Sequence, residues 1–150
     1  MAVGGGRLIG YKQSLAEHGI EVDERLIFHM KKDIDEFTVE NGYAVTEELI
    51  ASGIEFTAVF CISDLTAMGA YRAIYDAGLK IPEDISVVGF DGIEFGDYMY
   101  PRITTMVQPR HEMAVESVRI LLDLIAGEED IPDTVFETEL LTRDSVKKIN

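Results

Sequence analysis

Two apolar runs without alternation, "TAVFCIS" (residues 57–63) and "SVVGFDG" (residues 86–92), limit the fold of this chain more than any other feature. A half-buried strand alternates apolar and polar residues, whereas an unbroken run fits a strand covered on both faces, the kind found mainly in parallel sheets. Between them "LTAMGAYRAIYDAG" has helical spacing and closes on Gly78. Strand, helix and strand at this distance spell a right-handed crossover. Ligands of open parallel sheets bind outside the carboxyl ends of the strands, and there the two runs place Ser63, Asp64 and Asp91.

The other segments extend the same alternation. Leu8, Tyr11 and Leu15 share one helical face over residues 7–18, and Gly19 follows as a stop. Residues 26–30, "LIFHM", read as a strand. Thr38 is an N-cap with Asn41 three positions on, and Val39, Tyr43, Val45, Leu49 and Ile50 form a helical stripe that ends at Gly53. Later come a short irregular helix over 93–100, a strand over 103–108, a long amphipathic helix over 110–127 and a last strand over 134–143. The acidic stretch "GEEDIPD" reads as a solvated loop. The expected fold is α/β, a doubly wound and mostly parallel sheet with helices on both faces. The opening "MAVGGG" has three glycines with high backbone entropy and nothing to pack, so residues 1–6 read as a linker or junction and the fold as residues 7–150.

Composition narrows the function. A chain of 150 residues, 47% hydrophobic and 27% charged, can bury one real core. Its net charge of -15 repels phosphate backbones, so this chain by itself should not bind DNA. Cys61, the sole cysteine, lies in an apolar run and reads as an inert core thiol. With neither a charged leader before a long apolar segment nor a stretch of about 18 apolar residues, the expected compartment is the cytosol. His18, His29 and His111 lack metal-ligand spacing and an evident acid or nucleophile partner. The glycines of "GGGRLIG" do not follow a strand, as a dinucleotide fingerprint requires. No metal, cofactor or catalytic set is expected.

Four side chains are candidates for a ligand site on the residues alone. Asp91 tips an apolar run, and Gly92 beside it lets a ligand approach the backbone. Asp64 either meets a ligand or caps the next helix. Arg7 stands near a helix start, where a cation is disfavoured, and is either solvated or a ligand group. Phe37, an aromatic among polar residues, is either a wall against a ring or a hydrophobic staple.

Taken together, the motifs resemble the effector-binding domain of the LacI/GalR family of transcriptional regulators. The resemblance rests on the order of parts between residues 58 and 109: a strand ending in Ser-Asp, a helix with "MGA", then "AGLKIPEDISVVGFD", then "PRITTMVQP". "RLIGY" and "LLTRDS" at the flanks are similar to the family's RxxGY helix and LxxRxS strand. The implied fold is a periplasmic-binding-protein-like type I lobe, one of two that enclose a small effector, with an operator-binding headpiece N-terminal to them. By the same resemblance this chain is the C-terminal portion, without the headpiece and most of the first lobe, and residues 108–127 return to that lobe. Such a half-site should bind effector weakly.

Residue by residue, the resemblance assigns Arg7 as the effector-gripping cation, Phe37 as the stacking aromatic, Ser63 as a polar contact where Asn is commoner, Asp91 as the acceptor acid and Gln108 as a rim contact. Gly92 departs from the commoner Asp or Asn. The partners it implies are a sugar or purine-like effector, operator DNA through a headpiece, and a second copy of the chain. Met68, Tyr71 and Ile74 on the helix after Asp64 are candidates for a homodimer face, though such a stripe also suits core packing, and Met99 and Tyr100 form a second candidate face. A periplasmic sugar-binding protein of a transport system is the alternative. A hydrolase using Asp64 and Asp91 is a third reading.

Overall fold

Ser63 ends the first apolar run and starts a helix. In the computed structural model, which describes residues 3–148, its hydroxyl accepts from the Thr66 amide at 3.1 Å while the Thr66 hydroxyl accepts from the Ser63 amide at 3.0 Å. This reciprocal box opens α3 (Asp64–Asp76). Its buried face carries Ala67, Ala70, Tyr71 and Ile74, which pack with Cys61, Ile81, Ile85, Val87 and Ile103 into the core. Full burial of residues such as Ile74 and Val87 is worth about 1.5–3 kcal/mol each. The Tyr71 hydroxyl donates to the Pro101 carbonyl at 3.1 Å, so the one polar atom of that large side chain is satisfied inside. This corrects the first candidate dimer face: Tyr71 and Ile74 are core, and Met68 packs against them.

The sheet runs in the order β1 (Ala58–Phe60), β2 (Ser86–Asp91), β3 (Thr104–Val107), β4 (Glu139–Leu141). The first three strands are parallel, and β4 joins β3 antiparallel. Helices meet both faces. α3 packs on the side of Val87 and Gly89, while α1 (Val3–Glu17) reaches the other side through Arg7, which lies over Phe90. Residues 3–6, expected as a linker, are therefore helical, and residues 1–2 of that expectation lie outside the described part. α4 (Arg110–Ala126) ends at Gly127 with φ of 91°, as its pattern predicts, but buries none of its side chains. The 3₁₀ turn Glu94–Asp97 answers to the expected irregular helix.

Two expectations near β1 fail for one reason. Residues 26–30 form no strand: Asp23 caps a 3₁₀ turn over Glu24–Leu26, and the backbone beyond it is held by Asn41. The fully buried Asn41 amide accepts from Lys31 N at 2.8 Å and donates to the carbonyls of Lys31 and Ile34 at 3.0 and 3.2 Å. With that segment tied to α2 (Val39–Ala51), β1 is left as a sheet edge, and Phe60 is exposed rather than covered. The last strand also shortens, from the expected 134–143 to Glu139–Leu141. Beyond it the chain is fastened by buried Ser145, whose hydroxyl donates to Val87 O at 2.6 Å and accepts from Thr104 N at 2.8 Å.

The apolar stripe read along α2 is rotated from its expected place. Asn41, Gly42, Val45, Thr46 and Leu49 face inward, while Val39 is exposed. Backbone proximity explains the rotation. A Cβ on Gly42 would overlap the Thr66 carbonyl and one on Gly69 the Val39 carbonyl, so α2 and α3 cross on their glycines. Gly69→Ala should therefore overpack the crossing and lower unfolding stability by about 1–3 kcal/mol in urea denaturation. Gly10→Ala, in α1 with open space around it, should leave stability unchanged or raise it by up to about 1 kcal/mol.

Candidate functional site

β2 carries Asp91 to its carboxyl end, where the backbone leaves the strand at φ of 115° and continues through Gly92 at 71°. The left-handed region costs a non-glycine residue about 1–3 kcal/mol, and such strain collects at functional sites. β3 lies beside it with Val107 opposite Asp91, which brings the next residue, Gln108, within reach. The Gln108 side-chain amide donates to Asp91 Oδ1 at 2.5 Å. Arg110, in the first turn of α4, donates to the Gly92 carbonyl at 2.9 Å.

Arg7 reaches the same place from α1. Its guanidinium donates to the Ile62 carbonyl, just past β1, and stands 3.5 Å from Asp91 Oδ1. One face of the cation covers the Phe90 ring at 3.9 Å from its centroid, and Phe37 lies at 6.0 Å. Both distances suit a cation held over aromatic faces. Because α1 begins at Val3, Arg7 stands past the first turn and not at the N-terminal position its pattern suggested. Beside Arg7, and lined among others by Leu8, Tyr11, Phe28 and Phe60, runs a cavity of about 560 Å³.

The structure thus brings Arg7, Phe37, Asp91 and Gln108 together, with Phe90 and Arg110 added to them. Phe90 was hidden because it reads as one more apolar residue of a buried strand. Arg110 gives no sequence signal, since a charged first-turn residue is usually solvated. Ser63 is not in the group: its side chain is buried and its hydroxyl is spent on the α3 cap. Asp64 is the first residue of α3, not its cap, and lies apart from this cluster. It is fully buried, accepting from the Thr105 hydroxyl at 2.6 Å and from Ile93 N at 2.8 Å. That burial counts against the reading of a hydrolase using Asp64 and Asp91 as a pair. Cys61 is a core thiol, pushed up to about 12 by burial.

Chemically, the cluster offers a cation and an amide as donors, a carboxylate as acceptor and two aromatic faces. Hydroxyl-bearing rings are bound by such combinations. Burial raises the Asp91 carboxyl above its ordinary value; Arg7, Gln108 and Arg110 pull it down, and the Asp64 charge pushes it up. A raised folded-state value means that the native state holds the proton more tightly than the unfolded chain, so stability falls as pH rises from the ordinary carboxylate value through the raised one. Asp91→Asn should accordingly raise the urea midpoint at pH 7, and the gain should vanish near pH 3, where both forms are neutral.

Known proteins resemble this chain in sequence and in fold. Residues 3–146 match the periplasmic binding protein-like domain. The HTH-type transcriptional regulator MalR of Clostridium butyricum is 40% identical over 139 residues, 93% of this chain and 40% of the relative. Among solved structures, a transcriptional regulator CelR–cellobiose complex superposes with a TM-score of 0.84 at 36% identity, covering 93% of this chain and 41% of the other. A LacI family regulator from Enterococcus faecium with bound ribose gives a TM-score of 0.80 at 33% identity, covering 93% of this chain and 50% of the other. The chain spans about two-fifths of the length of the curated relatives it matches. It belongs to the periplasmic binding protein-like domain family, in the form found in LacI-type transcriptional regulators.

Proposed function

We propose that this chain is the effector-sensing part of a LacI-type transcriptional regulator, that its effector is a sugar, and that the site is the cluster of Arg7, Phe37, Phe90, Asp91 and Gln108. The observation that carries this reading is the convergence of Arg7 and Gln108 on Asp91 Oδ1, at 3.5 and 2.5 Å, beside two aromatic rings. Adjacent ring hydroxyls can accept from the guanidinium and donate to the carboxylate while an apolar ring face rests on an aromatic. Two of the related regulators were solved with cellobiose and with ribose, and both sugars are ligands of this chemistry.

The protein works by population shift and not by catalysis. An effector that binds one arrangement of the lobes better than another changes DNA affinity by that difference alone. Operator DNA is met through a headpiece elsewhere in the whole regulator, since the formal charge of -15 disqualifies this part. A regulator of this type acts in the cytoplasm; no helix among the described residues is long and apolar enough to cross a membrane. A homodimer face remains available around Tyr100, which is 91% exposed, whereas Met99 packs against the core. The transport alternative is not favoured, because the relatives are regulators.

Calorimetric titration of this chain with cellobiose, ribose and a panel of mono- and disaccharides tests the reading. Saturable but weak binding of at least one sugar is expected, and Arg7→Ala or Asp91→Asn should weaken it at least about tenfold, in line with about 1.5–3 kcal/mol for a hydrogen bond to a charged group. Binding that survives both substitutions, or none to any sugar by the chain or by the whole regulator, overturns it.

A further inference from the structure

Asp64 is a fully buried carboxylate that no step of the proposed sensing uses. Its two oxygens join three elements. Oδ1 accepts from the hydroxyl of Thr105 in β3, Oδ2 accepts from the amide of Ile93 just beyond the Asp91–Gly92 turn, and the residue itself begins α3. Thr105 is the register partner of Gly89 in β2, and a Cβ on Gly89 would overlap Asp64 Oδ1. The carboxylate therefore lies across the space left by the missing side chain of Gly89, two residues before Asp91, and grips the chain again two residues after it.

We propose that Asp64 is a positioning residue of the effector site, holding the strained Asp91–Gly92 turn in register with β3 so that the Asp91 carboxylate faces Arg7 and Gln108. Asp91 sits at φ of 115°, a conformation that a non-glycine residue keeps only where neighbouring structure imposes it, and Gly92 continues at 71°, which glycine adopts freely. The Ile93 amide is the first backbone donor after the turn, and Asp64 accepts from it. With that anchor removed, the side chains that still hold the turn are Arg7, Gln108 and Arg110, and the last two lie where the chain enters α4. The identity of Gly89 follows as well: it is glycine because the carboxylate occupies its side-chain space. The proposal rests on the sensing reading for its purpose, but its geometry is open to measurement without a ligand.

The experiment uses the full chain in four forms: wild type, Asp64→Asn, Asp64→Ala and Asp64→Ala combined with Gly89→Ala. The double variant refills the vacated space. Amide exchange of Ile93 is read against Val87 and Val88 as internal controls for β2, and the Asp91 carboxyl is titrated by NMR. The charged or polar groups facing Asp91 are Arg7, Gln108, Arg110 and Asp64 itself. In the double variant Ile93 should exchange at least tenfold faster while Val87 and Val88 keep their protection. In Asp64→Asn, where a side-chain oxygen still accepts from Ile93 and the amide can donate to the Thr105 hydroxyl, Ile93 protection should be restored. There the Asp91 carboxyl should titrate lower than in wild type, since a nearby negative charge is gone.

Unchanged Ile93 exchange in the double variant would reduce Asp64 to a core filler and overturn the proposal, whatever the Asp91 titration shows. Should the alanine variants fail to fold, Asp64→Ser, whose shorter side chain does not reach Ile93, takes their place, and Ile93 exchange there decides. If the wild-type chain binds no sugar while the variants show these ligand-free changes, the sensing reading falls and the turn anchor stands.

Discussion

The parallel pairing of β2 with β3 is the constraint on which the rest of the molecule depends. Its register sets Gly89 opposite Thr105 and Asp91 opposite Val107. From the first pair comes the space that Asp64 fills, and from the second comes the reach of Gln108 to Asp91. Side chains alternate across a strand, so a slip of one residue would turn Asp91 toward the opposite face and lose both contacts together. Ser145 reinforces the same pairing at the other end of the strands, where its hydroxyl bonds Val87 in β2 and Thr104 in β3. Fold and site therefore draw on one set of hydrogen bonds.

Arg7 is the element this sheet cannot supply. It arrives on a helix and is held by three partners of different kinds: the Ile62 carbonyl, the Asp91 carboxylate and the Phe90 ring. The Arg7 side chain keeps 12% of its surface exposed and Asp91 keeps 29%, so the pair is desolvated enough to matter and open enough to exchange partners. A fully sealed pair would hold itself too firmly to yield to a ligand, whereas a solvated one would contribute little. The raised Asp91 carboxyl fits the intermediate case, since burial outweighs the help it receives from Arg7.

Legibility in the sequence divided along physical lines. Elements whose signal is local came through: the helix after Asp64, the run ending in Asp91, the Thr38 cap with the Asn41 amide, and the stop at Gly127. The place of Asp91, the acid of the proposed site, was legible because a buried run that ends on Asp and Gly delivers a charge to a strand tip with no bulk beside it; Arg7 and Phe37 were ambiguous on the residues alone, and Gln108 came only from the family resemblance. Ser63 was misread because a strand tip and a helix cap are the same position, and the hydroxyl can serve only one of them. The strand expected over 26–30 failed on a long-range bond: no local pattern says that Asn41 will take the backbone of Lys31. The Met68, Tyr71 and Ile74 stripe was ambiguous between core and surface until the sheet defined an inside.

The route by which a bound ligand could act on the rest of a regulator follows from where the donors sit. Gln108 bonds Asp91, and Arg110, two residues on, bonds Gly92; the second of these begins α4. At the proposed site, a ligand hydroxyl donating to Asp91 Oδ1 would compete with Gln108 for the same oxygen, so binding would be felt first where the chain enters α4 and not at the sheet. α4 buries none of its own side chains, and its apolar residues Val118, Leu121, Leu122 and Ile125 are exposed, so little intrachain packing opposes a change in its direction. The sheet side of the site is stiff, bound by Asp64, Thr105 and the strand ladder, whereas the α4 side is compliant. Differential affinity between two arrangements requires such an asymmetry, because a ligand shifts a population only where its contacts differ between the states.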